Sequence, residues 1–173
     1  MKNRATDSSV LPEVTIRSWN EGDLSLLKSM NTQEMWEHLG GPETEAKVLK
    51  RHNRYMESAP GKTQMFVIMY GAYGVGSVGY WQRQWNAEEV FEVGWFVLPE
   101  YQGRGVATRA TSALLRLLSA ESPRAVVHAF PSISNPASNA ICRKLGFSLL
   151  GETEFEFPIG SWIKCNDWRC SLT

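Results

Sequence analysis

The chain carries no excess charge of either sign, with 18 Lys and Arg against 18 Asp and Glu in 173 residues. That balance removes the basic footprint expected of a nucleic-acid surface or of an electrostatic membrane patch. No apolar run approaches the roughly 20 residues a membrane helix needs, and the longest are of strand length. Cysteine is scarce as well. Cys142, Cys165 and Cys170 are odd in number and lack CxxC spacing, while His38, His52 and His128 are scattered singly. Neither a disulfide framework nor a metal site is expected, and a reducing cytoplasm fits best. Met1 to Ser9 is polar, without the apolar core of a secretory signal. Repeats and low-complexity segments are missing too. A single domain over residues 1–173 is the expectation, with 1–12 as a loose leader.

What is present reads as alternating strands and helices. Val14 to Trp19 alternates like a strand, and Asn20 to Asp23 supplies a turn and a helix cap before Leu24, Leu26, Leu27 and Met30. A short helix is expected over Asn31 to Leu39, stopped by Gly40-Gly41-Pro42, and a longer one over Pro42 to Ser58. Residues 65–70 and 75–81 flank a Gly-Ala-Tyr-Gly turn and predict a hairpin, with 89–98 as the third strand of a meander. The stretch 104–120 predicts an amphipathic helix with Val106, Ala110, Ala113, Leu114, Leu117 and Leu118 inward. A strand over 124–130 follows, then a helix capped by Asn135 and closed by Gly146, then weaker strands over 147–157 and 162–172. The fold class is α+β, with one clear β–α–β crossover over 90–130.

The most informative segment is Gln102-Gly103-Arg104-Gly105-Val106-Ala107-Thr108. It joins a strand to a helix start, where backbone N–H groups lack partners and the helix dipole favours an anion. Gly103 and Gly105 can take positive φ and let a phosphate approach the main chain. An ordinary glycine-rich connection is the bland alternative. The nearby Gly74-Val75-Gly76-Ser77-Val78-Gly79 matches GxGxxG letter for letter, yet runs into another strand where a dinucleotide site needs a helix. It reads as a hairpin with glycines.

Residues 97–107 carry Gln102, Gly105 and Ala107 in a Gln-x-x-Gly-x-Ala spacing, and Asn135 to Phe147 is an asparagine-led helix ending in Lys-Leu-Gly-Phe. In this order and context the two motifs resemble the GCN5-related N-acetyltransferase (GNAT) superfamily, and Trp36-Glu37-His38-Leu39-Gly40-Gly41-Pro42 resembles its ribosomal-protein and small-molecule acetyltransferase branch. The resemblance is tight over 89–150 and loose at Val14 to Arg17. It implies a central, mostly antiparallel twisted sheet with helices on both faces. It also implies that acetyl-CoA enters between the 89–98 and 124–130 strands, pairing with the main chain of Phe96, Val97 and Leu98. The pyrophosphate would then lie on the amides of Gln102, Gly103, Arg104, Gly105, Val106, Ala107 and Thr108. Asn135 and Asn139 would touch the cofactor, although a plain helix cap explains Asn135 equally well. A backbone N–H near Val97 would polarise the thioester carbonyl.

Amine acylation requires a group that accepts a proton. Glu92 lies ten positions before Gln102, where relatives often place a glutamate base, and a salt-bridged strand residue is its bland alternative. Many relatives carry a tyrosine at the place of Cys142; a thiol here is a weak acid, and a packing role suits it at least as well. His128 reads as a hydrogen-bonded structural histidine. Trp36, Glu37, His38 and Trp81 fall where the acceptor binds in the family. Aromatic walls suit an amine through packing or cation–π contact. The implied reaction is acetyl transfer from acetyl-CoA to a primary amine, by direct transfer in a ternary complex. The acceptor is a small molecule, or alternatively a peptide N-terminus; a non-catalytic acyl-CoA-binding module is the reading from another class. A homodimer through the 162–172 tail stays open, as the family often dimerises.

Overall fold

The computed structural model describes residues 11–156 and 160–173. Most of the expected leader, and Phe157 of an expected strand, lie outside the described residues. The chain runs β1 (Val14–Ser18), α1 (Leu24–Ser29), α2 (Glu45–Met56), β2 (Thr63–Tyr70), β3 (Tyr73–Trp85), β4 (Glu88–Val97), α3 (Val106–Glu121), β5 (Val126–Ala129), α4 (Pro136–Lys144), β6 (Ser148–Glu156) and β7 (Trp162–Ser171). These strands form one seven-stranded sheet in the order β1-β2-β3-β4-β5-β7-β6. Among the described residues only β4 and β5 pair in parallel; their crossover is α3. This is the mixed, mostly antiparallel α+β architecture expected.

Alternation along the strands divides the apolar residues between two layers. Val78, Tyr80, Phe91, Val93 and Val97 face α3 and α4, where Val106, Ala110, Leu114, Leu118 and Cys142 complete the larger core. Trp19, Val67, Phe96 and Leu98 face α1 and α2, against Leu27, Met30 and Val48. Burying one leucine such as Leu114 contributes about 1.5–3 kcal/mol, so the α3 stripe is a main anchor of the sheet. Thr111 is buried in that stripe, while Ala113 and Leu117 are only half-buried.

Local differences from expectation have physical causes. Residues 31–39 form turns and one short 3-10 turn (Glu37–Leu39), not a helix. The Asn31 side chain donates to the Glu43 carbonyl at 2.9 Å and accepts the Glu43 N–H at 2.8 Å. Both ends of the loop are thereby pinned. The first hairpin turns on Gly71 and Ala72 alone, since Tyr70 already pairs with Tyr73. β3 runs on to Trp85, and its second turn holds Asn86 and Ala87 at φ 49° and 65°, the twist a tight hairpin favours. α3 begins two residues late because Gly105 takes φ 72° as its cap.

The GxGxxG stretch lies within β3, as the hairpin reading expected. A Cβ on Gly76 would stand 2.1 Å from the Phe96 carbonyl oxygen. Close strand approach, not cofactor binding, accounts for that glycine.

Candidate active site

β4 and β5 pair at only two positions, Phe91 with Val127 and Glu92 with His128. Beyond them the strands part, and among the described residues the far half of β4 pairs with β3 alone. Leu98 donates its N–H to Val75 on the β3 side at 2.9 Å. Alternation therefore turns the N–H and carbonyl of Val97 into the gap, along with those of Trp95. Phe96 and Leu98 turn their main chain the other way. Of the three residues expected to pair with an extended ligand, Val97 is the one whose amide faces the opening.

The loop after β4 closes one end of that gap. Gln102 donates its side-chain N–H to the Val97 carbonyl at 2.8 Å, and its own backbone N–H goes to Pro99 at 3.1 Å. Gln102 thus ties the loop to the strand, and its amide is already engaged. The first backbone bond of α3 runs from Arg109 to Gly105 at 3.0 Å, which leaves the amides of Gly103, Arg104, Gly105, Val106, Ala107 and Thr108 without a backbone acceptor among the described residues. Gly103 and Gly105 both sit at φ 72°, and a Cβ on either would meet nothing within 4 Å. Their requirement is conformational. Free amides at the start of a sixteen-residue helix, beside the Arg104 and Arg109 side chains, fit a pyrophosphate.

The asparagines play different parts. Asn135 caps α4 through its side-chain oxygen, which accepts the Ser138 N–H at 3.0 Å. Asn139 is buried, and all four of its hydrogen-bonding positions are filled. It donates to the carbonyls of Ser132 and Asn135 at 2.9 and 2.8 Å, and accepts from Asn166 and the Trp168 indole at 2.7 and 2.8 Å. Its amide locks α4 to β7. Cys142 is fully buried in the core, where burial pushes its thiol up to about 12. Those are the surroundings of a packing residue.

Glu92 sits at the mouth of the gap on the α1 and α2 face. Burial raises its carboxyl above the ordinary range, opposed by the Arg83 guanidinium, the Trp81 indole N–H and His128. The Trp81 ring packs over Gly94: a Cβ there would be 2.9 Å from it. Arg83 forms an ion pair with Glu92. The His128 ring bonds Asp167 at 2.5 Å, and the other Asp167 oxygen accepts the Trp85 indole N–H at 2.9 Å. Cys165, on the same face, is pushed up to about 11 by burial and the Glu92 charge. Arg83 and Asp167 were not among the sequence candidates. Arg83 carried a signal, since β3 alternation from Trp81 puts it on the Glu92 face once the register is known.

The remaining candidates lie on the loop between α1 and α2. Trp36 is buried, its N–H donated to the Met30 carbonyl at 3.0 Å, its ring stacked on Phe96 at 5.4 Å and covered by Arg51 at 4.2 Å. Glu37 is exposed and lies 3.2 Å from His38, whose other ring nitrogen bonds Ser134 at 2.9 Å. Residues 36–38 therefore span from β4 to the segment after β5, across the gap.

A family model described as "Acetyltransferase (GNAT) domain" matches residues 13–148. No curated protein matches the chain by sequence. Among solved structures, the chain resembles RimL, the ribosomal L7/L12 alpha-N-protein acetyltransferase, in complex with coenzyme A. That likeness has a TM-score of 0.75 at 17% identity, covering 92% of this chain and 94% of that one. The aminoglycoside acetyltransferase AAC(6')-Ib with coenzyme A gives 0.75 at 21% identity, covering 92% and 95%. Spermidine N-acetyltransferase from Vibrio cholerae, with CoA and spermine, gives 0.73 at 18%, covering 91% and 95%. At these identities the likeness is one of fold. Among the described residues no helix is long and apolar enough to cross a membrane, and no cluster of metal-ligating side chains occurs.

Proposed function

The chain belongs to the GNAT acetyltransferase family, and on that footing we propose that it moves an acetyl group from acetyl-CoA to a primary amine of a small molecule, by direct transfer in a ternary complex. The observation that carries this reading is the pairing of an open β4 edge with free amides at Gly103 to Thr108, and Glu92 at the mouth between them. Acetyl-CoA supplies the thioester. The Gly103 to Thr108 amides hold its pyrophosphate, and the Val97 N–H takes the carbonyl oxygen on which charge develops.

Glu92 accepts a proton from the acceptor ammonium, directly or through water, so that the neutral amine attacks the thioester carbon. As the carbon–sulfur bond breaks, the thiolate leaves, and the proton that the new amide nitrogen sheds passes to that thiolate or to water; with a thiol pKa near ~8.5 the leaving group needs no strong acid. The buried Cys142 thiol is given no part. The three cysteines are free, which suits a reducing cytoplasm.

Thiol release from acetyl-CoA tests the reading, run against polyamines, amino acids, aminoglycosides and N-terminal peptides. A small amine that turns over supports it. Turnover confined to peptides moves the acceptor to a protein N-terminus, and silence with acetyl-CoA bound points to a non-catalytic module.

A further inference from the structure

Arg83 projects from β3 into a box of three rings. Its guanidinium carbon lies 5.3 Å from the centre of the Trp85 ring, 5.1 Å from Phe130 and 4.7 Å from Phe155. The rings also touch one another, with centres 4.9 Å apart for Trp85 and Phe130, 5.2 Å for Trp85 and Phe155, and 4.7 Å for Phe130 and Phe155. They come from the end of β3, the residue after β5 and the end of β6, and Asp167 holds the Trp85 ring in place through its indole N–H. Glu92 closes the remaining side with its carboxylate. Three π faces and one carboxylate make a cation receptor. The Arg83 side chain is 29% exposed and the three ring residues are half-buried, so solvent reaches the box.

We infer that this box is the acceptor's cation subsite, and that Arg83 fills it only until the acceptor's own cation arrives. The inference rests on the role proposed for Glu92. An acceptor ammonium must come within hydrogen-bond reach of that carboxylate before it can lose a proton. The Arg83 guanidinium stands in that place. Exchanging one cation for another leaves no charge buried alone, so it avoids the large cost of emptying the site. The box also adjoins the parting of β4 and β5: Phe130 lies two residues beyond His128, the last residue of β5 that pairs with β4.

The acceptor class follows from the walls. It is an amine whose ammonium or guanidinium head fits among three rings, with an apolar stem lying along them. A free amino acid fits poorly, because its carboxylate would face Glu92 and Asp167.

Nuclear magnetic resonance on nitrogen-labelled protein tests this without turnover. The Arg83 Nε–H signal, assigned by its loss in Arg83→Lys, should be displaced by ring currents from three aromatic neighbours. Methylguanidinium chloride, against sodium chloride at equal ionic strength, should move it saturably toward the position of solvent-exposed arginines. In Trp85→Ala the same probe should bind about tenfold more weakly. A signal unmoved at saturating probe overturns the inference, as does a response equal to that of sodium chloride.

A kinetic arm uses whichever amine the thiol-release panel identifies. Arg83→Gln should lower its KM severalfold with acetyl-CoA affinity unchanged, whereas a raised KM makes Arg83 a permanent part of the site and overturns displacement. If methylguanidinium displaces Arg83 while no amine is acetylated, the enzyme reading fails and the cation subsite stands.

Discussion

Glu92 and His128 face each other at the last paired position between β4 and β5. One residue further the strands have begun to separate, so the carboxylate stands where sheet becomes cleft. His128 is held by Asp167, and Glu92 by Arg83 and the Trp81 indole. The cleft thus ends on a carboxylate whose position is set from both sides.

Replacing Glu92 by Gln should lower kcat by roughly 10²–10⁴, the usual share of a general base, with acetyl-CoA affinity unchanged in calorimetry. The pH profile provides the sharper check. Burial raises the Glu92 carboxyl, and the base works deprotonated. Activity in the wild type should therefore fall with decreasing pH at a higher pH than an ordinary glutamate would give. That acidic limb should vanish in Glu92→Gln. A limb that persists assigns the base to another group.

Gly105→Ala separates conformation from space. A Cβ there meets nothing within 4 Å, yet φ is 72°. The substitution should cost about 1–2 kcal/mol of stability through the left-handed backbone alone. It should also disturb the amides that open α3, weakening acetyl-CoA at least tenfold. Unchanged affinity by calorimetry would sink the pyrophosphate assignment.

Asn139→Ala distinguishes a structural amide from a cofactor ligand. It strands the Trp168 indole N–H and the Asn166 amide, both donors to its side-chain oxygen. Leaving buried donors unpaired costs about 1–3 kcal/mol. The denaturation midpoint should drop more than the acetyl-CoA affinity. Lost affinity at unchanged stability would return Asn139 to the cofactor.

Asp23→Asn addresses the fold alone. Asp23 takes two bonds from Arg17, at 2.8 and 2.6 Å, and the Asn20 N–H at 2.8 Å. Burial opposes its ionisation, but the Arg17 and Asn20 bonds prevail and its pKa is lowered. A carboxyl lowered in the folded state contributes stability above its unfolded pKa, near ~3.9, which is lost as pH falls through the folded value. The variant should lose about 1 kcal/mol at neutral pH, as for a missing cap. Its urea midpoint should also depend less on pH below 4–5 (a roughly one-unit margin above that unfolded value).

Much of the fold was legible in short stretches. The Asn135-Pro136 cap and the Gly146 stop bracket α4 because their backbone demands are local. The same holds for Gly103 and Gly105, whose positive φ no neighbouring strand imposes. The stretch 31–39 misled, since helical spacing there was overridden by Asn31 bonding to Glu43 twelve residues away. Loop residues Glu37 and His38 were picked out, while Ser134, ninety-six residues from His38, had no local mark.

By itself the sequence determined the order of the strands and, outside residues 31–39, of the helices, together with the glycine turn before α3 and Glu92's place on the strand that leads to it. Each of these depends on residues a few positions apart, where backbone geometry and alternation decide. Only the tertiary structure decided that Arg83 meets Glu92 among three rings, and that the Gln102 amide is already engaged. It also decided that Asn139 has no hydrogen-bonding capacity left. Those outcomes depend on strand register and on which distant side chain fills a position first, and a register shift of one residue reverses every face.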